Sequence, residues 1–157
     1  MEGKHLSVLL PEMRLDFWDS LWQGQITSVA ALERKLSVLQ IPVKANAPCC
    51  RCVLRLTHGE SYLSQIWRYG KERLRVAFDN LLPKEEGVLY GVCRLTPRHV
   101  YILACAAAGQ DLDELKAQAR RDIQTLMQSL EQYLDLESEL KEIVPMDAMT
   151  ELLRQKV

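Results

Sequence analysis

The sequence lacks a long apolar run. Its longest apolar stretch, residues 100–108, is far shorter than the roughly 20 residues that a membrane-spanning helix requires. The N-terminus also lacks the pattern of a signal peptide. We therefore expect a cytoplasmic protein that makes no contact with a membrane.

An excess of charge of one sign is also missing. The 157 residues include 20 Lys and Arg and 21 Asp and Glu, which leaves a net charge of -1. This balance provides no overall field that would hold the chain on DNA, so we expect DNA contact only through a separate domain. With 48% hydrophobic and 26% charged residues, the composition is that of a soluble globular domain.

The five cysteines are an odd number in a chain without a secretion signal, which predicts reduced thiols and no disulfide framework. Three of them form the local cluster Cys49-Cys50-x-Cys52. Strand alternation turns Cys49 away from the other two, and structural zinc needs four converging ligands. We predict core positions and no cofactor, because free Cys behaves as a small hydrophobe. A metal-binding protein or small enzyme that uses Cys50 and Cys52 is the alternative.

Groups for nucleophilic catalysis are not close together in the sequence. His5, His58 and His99 are dispersed, and none has a Ser, Cys or Asp partner from which a triad can be argued. The basic residues of segment 68–75 are interleaved with acidic ones, which predicts a solvated helix face. We therefore expect no enzymatic activity.

Acidic residues are absent from residues 88–107, which have the pattern of a β-hairpin. The two strands are rich in Val, Ile, Leu and Tyr, and Pro97 fits the second position of a type I turn over residues 96–99. Alternation along these strands predicts that Tyr90 and Tyr101 lie on the same face of the sheet.

Apolar spacing predicts the remaining elements. Helices are expected over 10–23, 27–40, 61–82, 111–134 and 146–156, and strands over 49–57 and 136–144. Gly24 and Pro42 end the first two helices, and Asp111 and Glu114 have the spacing of a capping box. Segment 136–144 is ambiguous, because its Glu and Lys residues favour a helix while its flanking Asp135 and Pro145 favour a strand.

The predicted order is strand, helix, strand, strand, helix, strand. This is the βαββαβ pattern of a ferredoxin-like α+β sandwich with an antiparallel sheet. We assign residues 46–157 to that domain and residues 1–45 to an N-terminal helical segment that packs on it or extends it. The last strand is then expected beside the first, with acidic and basic residues facing each other across the pair: Glu137 and Glu139 near Arg51 and Arg55.

Five segments together carry a family resemblance. They are the helix residues FWDSLWQG at 17–24, the helix 32–39 followed by Gln40-Ile41-Pro42, the strand 52–56, the long helix predicted over 61–82 and the hairpin 88–107. In this combination the chain resembles the degenerate GGDEF-like regulatory domain of bacterial AraC-type transcription regulators. That domain often stands between a receiver domain and a pair of DNA-binding helix-turn-helix motifs.

The resemblance implies a function without catalysis. In active diguanylate cyclases of this architecture, the signature Gly-Gly-Asp/Glu-Glu-Phe occupies the hairpin tip, where it admits nucleotide and holds metal. The corresponding tip here is Thr96-Pro97-Arg98-His99, which has neither glycine nor carboxylate. The resemblance implies a sensory or dimerising module that modulates a DNA-binding domain outside this chain, through formation of a homodimer or through binding of a small-molecule effector. A free-standing scaffold that only self-associates is the plainer alternative.

Aromatic residues mark the candidate ligand or dimer surface. Phe17, Trp18 and Trp22 give the first helix a large apolar area for a short element. Tyr90 and Tyr101 add aromatic area on the sheet. The same residues are also suited to a core between the N-terminal helices and the sheet, so both interpretations stay open.

Overall fold

The computed structural model describes residues 2–84 and 87–154, which form a mixed α and β structure. The helices are α1 Glu2–Trp22, α2 Val29–Val38, α3 Gly59–Ser61, α4 Lys71–Leu81, α5 Leu112–Leu134 and α6 Glu151–Arg154. The strands are β1 Cys49–Leu56, β2 Val88–Leu95, β3 His99–Ala106 and β4 Ser138–Met146. Within these residues no helix is long and apolar enough to cross a membrane. Residues 155 and 156 of the predicted last helix lie outside the described residues.

The four strands form one antiparallel sheet in the order β2-β3-β1-β4. The predicted hairpin and the predicted placement of β4 beside β1 are both confirmed. Helices α4 and α5 pack on one face of this sheet, which we call the inner face. Helices α1, α2 and α6 pack on the opposite, outer face.

Local sequence signals account for most of these elements. Ser28 caps α2 by accepting a hydrogen bond from the Ala31 amide at 3.1 Å. The predicted capping box of α5 is present, with Asp111 and Glu114 each bonded to the other's backbone. In β1, the alternation predicted from the sequence is confirmed, because Cys50, Cys52 and the leucines of this strand point into the inner-face core.

The single helix predicted over 61–82 is wrong, because the chain there is broken into three parts. After α3, a π-helical turn covers Tyr62–Ile66, and an irregular segment then precedes α4. The Tyr62 hydroxyl donates to the Leu134 carbonyl at 2.7 Å, which ties the π-helical turn to the end of α5. The Trp67 indole N–H donates to the Gly70 carbonyl at 2.8 Å, and Gly70, whose φ is +88°, is the N-cap of α4.

The prediction that Tyr90 and Tyr101 share a face is also wrong. Next to the turn, Arg94 pairs with Tyr101 as a tight four-residue turn requires, but a bulge then shifts the register so that Val92 pairs with Ile102. The extra residue in β2 is Cys93. Because one inserted residue reverses the side-chain alternation, Tyr90 points to the inner face while Tyr101 points to the outer face.

Segment 138–146 is a strand, which confirms the choice made for this ambiguous region. Its expected charge pairs are only partly present. Glu139 lies opposite Arg55 in the register, but its carboxylate contacts Lys141 Nζ at 3.4 Å. Arg51 lies opposite Val144, because a register shift between Val53 and Leu54 displaces the second half of β4.

Candidate functional site

The five predicted surface residues occupy two different environments. Phe17 and Trp18 are each 3% exposed and belong to the core between α1 and the outer face. Tyr90 is buried in the inner-face core. Trp22 and Tyr101 alone among the five are half-buried, and they lie together on the outer face. The predicted surface is therefore reduced to this one pair.

Trp22 and Tyr101 form a cluster with two further residues that the sequence argument did not select. The Trp22 and Tyr101 ring centroids lie 5.2 Å apart at an interplanar angle of 34°. The Arg51 guanidinium carbon lies 5.1 Å from the Trp22 ring centroid, and the His99 ring lies 6.1 Å from that of Tyr101. We call these four residues the outer-face cluster.

Three elements position the outer-face cluster. Helix α1 ends at Trp22, where Gly24 adopts a φ of +73° and its amide bonds the Leu21 carbonyl at 3.1 Å. Arg51 extends from β1 and Tyr101 from β3, on the same side of the sheet because both alternate with inner-face residues. The cluster thus joins the end of α1 to the centre of the sheet.

The cluster borders a part of the outer face that none of the helices in residues 2–84 and 87–154 covers. Here Val53 is half-buried and Val144 is 38% exposed. Arg55 is exposed and lies opposite His99 in the neighbouring strand. We call this uncovered region, together with the outer-face cluster, the open face.

Arg51 is the chemically distinctive residue of the open face. Its Nε atom is buried and has no hydrogen-bond partner among the described residues. Stacking on Trp22 contributes about 1 kcal/mol, but an unsatisfied buried donor costs about 1–3 kcal/mol. The flat, charged guanidinium itself suits a carboxylate or phosphate.

Tyr90 instead takes part in a polar network inside the protein. Its hydroxyl donates to the Asp122 carboxylate of α5, and Gln118 Nε2 donates to both Asp122 oxygens at 3.1 and 3.2 Å. Burial, followed by the hydrogen bond to Asp122, raises the pKa of Tyr90 well above its usual range. The network links β2 to α5, with Tyr90 and Asp122 buried and Gln118 half-buried at its edge.

Arg75 is the exception to the solvated face predicted for segment 68–75, whose other basic residues are exposed. Its side chain is 4% exposed, and its Nε donates to the Val92 carbonyl at 2.9 Å. Its Nη2 donates to the Leu15 carbonyl of α1. Arg75 therefore joins α4, the edge strand β2 and α1, and its role is structural.

The cysteines occupy the predicted core positions. All five are free and buried, with Cys50 and Cys52 in the inner-face core and Cys49 in the outer-face core. Burial raises the pKa of Cys52 to about 12, which disfavours the thiolate that a metal ligand requires. In the parts of the chain that the structure describes, no three His, Cys, Asp or Glu side chains are grouped as a metal site would need.

The hairpin tip is held by hydrogen bonds of its own and packs against a neighbouring turn. Thr96 Oγ1 accepts from the His99 amide at 3.0 Å. The tip also packs on the turn after β1, where a Cβ added at Gly59 would lie 1.8 Å from the Pro97 carbonyl oxygen. The exposed Arg98 contacts Glu60 at 3.5 Å, so the charge outside the tip is in part compensated.

The open face thus offers an aromatic surface, a stacked guanidinium with an unpartnered donor, and adjoining apolar positions. These features suit the binding of a flat, negatively charged group more than a covalent reaction, since none of them is an activated nucleophile. Comparison of the chain with protein-family models, with curated proteins and with solved structures found no match.

Proposed function

We propose that the chain is a non-enzymatic regulatory module that binds a flat organic anion on its open face. The observation that carries this proposal is the Arg51 guanidinium, which stacks on Trp22 while its buried Nε has no partner among the described residues. A carboxylate or phosphate would accept from Arg51, and a flat ring would lie against the exposed edge of the aromatic pair.

Coupling of the site to α1 supports a regulatory role. Trp22 is the last residue of α1, so a ligand on the open face contacts the end of this helix directly. Nearer the middle of α1, the Leu15 carbonyl accepts a hydrogen bond from Arg75 of α4. If the ligand binds one position of α1 more tightly than another, it increases the population of molecules with α1 in that position. Such a shift in the position of α1 is how a sensor would act on its partner domain.

The finer fold and the wider role belong to the same proposal. The strand order β2-β3-β1-β4, with α4 and α5 on one face, supports a ferredoxin-like arrangement. The tip Thr96–His99 holds no carboxylate, which supports a degenerate GGDEF-like module over a cyclase. We propose that it acts in the bacterial cytoplasm as part of an AraC-type regulator, on a separate DNA-binding domain.

Ligand titration tests the binding proposal. The full chain is titrated with benzoate, AMP and GMP while tryptophan fluorescence and the melting temperature are recorded. At least one of these anions is expected to quench the fluorescence and raise the melting temperature by a few degrees, because it binds only the folded state. Arg51→Gln should abolish both effects, whereas Arg73→Gln removes the same charge on α4 and should preserve them. Binding by none of the three anions, or equal binding by Arg51→Gln, contradicts the proposal.

Two further measurements test the rest of the assignment. Incubation with GTP and Mg²⁺ should yield no cyclic dinucleotide by chromatography, and robust turnover would refute a non-enzymatic role. Light scattering at several concentrations should give a mass near twice the 18.0 kDa of the chain if the module is a homodimer. A mass of one chain at every concentration would contradict the dimer but not the ligand site.

A further inference from the structure

Two of the buried thiols face each other directly across the sheet. Cys49 is the first residue of β1, and its Cα partner in β3 is Cys105. Both side chains are 0% exposed and belong to the outer-face core. Residues directly opposite each other on one face have the shortest distance between Cβ atoms of any two residues on neighbouring antiparallel strands.

The hydrogen-bond pattern identifies the type of this pair. The Ala106 amide donates to the Pro48 carbonyl at 3.0 Å, so the adjacent rung of the ladder is a hydrogen-bonded pair. At the other end of the ladder, the Leu56 amide donates to the Arg98 carbonyl at 2.8 Å. The even-numbered residues at both ends of the ladder are therefore in hydrogen-bonded pairs. Because hydrogen-bonded and non-hydrogen-bonded pairs alternate, Cys49 and Cys105 form a non-hydrogen-bonded pair.

Non-hydrogen-bonded pairs bring the two chains close enough for a covalent link. Their Cα atoms lie about 4.5 Å apart, inside the range of about 4.4–6.8 Å seen in disulfides. The three remaining cysteines lack this relation to Cys105. Cys50 and Cys52 point to the inner face, and Leu89, not Cys93, pairs with Cys105 from β2.

The position of the pair at the end of the sheet provides a route for an oxidant. β3 ends one residue after Cys105, and the connector before β1 lines a groove of about 1120 Å³ that also reaches Ala106 and Ala107. Burial raises the pKa of Cys49 to about 12, so almost no thiolate exists at neutral pH in the closed state. Reaction therefore follows local opening at this end of the sheet.

We propose that Cys49 and Cys105 are a redox-sensitive pair that forms an intramolecular cross-strand disulfide. In the step, the two thiols lose two protons and two electrons while the S–S bond forms. A diazene oxidant such as diamide accepts the two protons and the two electrons and becomes the corresponding hydrazine. The bond closes the loop between β1 and β3, so it stabilises the folded chain and is reversed by dithiothreitol.

Oxidation of the full chain with diamide tests this pair. The chain is treated in native buffer and in urea well below the unfolding midpoint, free thiols are then blocked, and the product is digested with trypsin without reduction. Peptide 45–51 carries Cys49 and Cys50, and peptide 99–116 carries Cys105. The Cys50→Ala variant removes the ambiguity in the first peptide and is the matched control.

We expect peptides 45–51 and 99–116 to be linked in the native chain and in Cys50→Ala, with the mass lowered by two hydrogen atoms. Low urea should speed the linkage, and the linked chain should melt about 5 °C higher. Cys105→Ala should remove the link. A link from Cys105 to Cys52 or Cys93, a link that forms only above the unfolding midpoint, or no link at all would overturn the proposal.

Discussion

Trp18 rests its indole ring directly on the backbone of Gly91 in β2. A Cβ atom built on Gly91 would lie 2.1 Å from the Trp18 ring, closer than any real contact. The Phe17 ring meets the edge of the same indole at 4.9 Å and 64°. A glycine inside a strand thus marks the point where α1 approaches the sheet most closely, and this approach places Trp22 at the open face.

Gly91→Ala should therefore destabilise the protein strongly. The added methyl group has to displace the Trp18 ring or the strand, which we expect to cost about 2–3 kcal/mol of unfolding free energy. Urea unfolding followed by circular dichroism measures this loss. Trp18→Leu in the Gly91→Ala background makes room for the methyl group and should cost less than the two separate losses added together. Additive losses would contradict the contact.

Arg75→Met should also cost stability, through the loss of buried hydrogen bonds. The change keeps the aliphatic stem but leaves the Val92 and Leu15 carbonyls without their charged donor. We expect a loss of about 2–4 kcal/mol in urea unfolding. Little of it comes from the ion pair with Glu72, whose side chain is 83% exposed. Arg73→Met, at an exposed site on the same helix, should change stability by no more than about 0.5 kcal/mol.

Elements with strong local signals were predictable from the sequence. The β1 alternation, the turn at Pro97 and the Asp111 cap each depend on residues close together in the chain, and all three are present. The strand character of segment 138–146 was harder, because its local propensity is helical. Hydrogen-bonded pairing with β1 stabilises the strand here although the local propensity favours a helix.

Features that depend on distant partners were not predictable in the same way. The bulge at Cys93 reverses the alternation of β2, and no residue type near it announces a bulge. Before α4, the Tyr62 hydroxyl bonds the end of α5, a contact between residues far apart in the chain. The apolar residues of segment 61–82 have helical spacing because they pack in the core. They do so from a π-helical turn, an irregular stretch and α4 instead of from one helix.

The candidate site illustrates the same limit. Trp22 and Tyr101 were selected for their aromatic character, but their contact depends on where α1 ends over the sheet. Arg51 was assigned to the polar face of β1 and expected to meet acidic residues of β4. Its actual neighbours are Trp22, which the end of α1 places there, and Val144, which lies opposite it in β4.

Tyr90→Phe should weaken the buried network between β2 and α5. The change removes only the hydroxyl that donates to Asp122, so packing is kept while one hydrogen bond to a charged acceptor is lost. We expect a loss of about 1–3 kcal/mol in chemical unfolding. Tyr133→Phe removes the same atom from a side chain that is 66% exposed, and it should change stability by no more than about 0.5 kcal/mol. Equal effects of the two substitutions would contradict a role for the network.

The buried thiols should make the protein sensitive to alkaline pH. Burial raises the pKa of Cys49 and of Cys52 from 9.0 to about 12, so the folded state holds these protons more tightly than the unfolded state does. Their contribution is therefore fully present below pH 9 and is lost as the pH rises toward 12.

Urea unfolding between pH 8 and pH 11, with reductant present, measures this loss. Each such thiol should lower the unfolding free energy by about 1.4 kcal/mol per pH unit once the unfolded thiol is ionised. Cys52→Ala removes one of the titrating groups at the cost of a small cavity, so it should be less stable at pH 8 but lose stability less steeply above pH 9. Parallel pH profiles for the native chain and Cys52→Ala would contradict the assignment of this loss to the buried thiols.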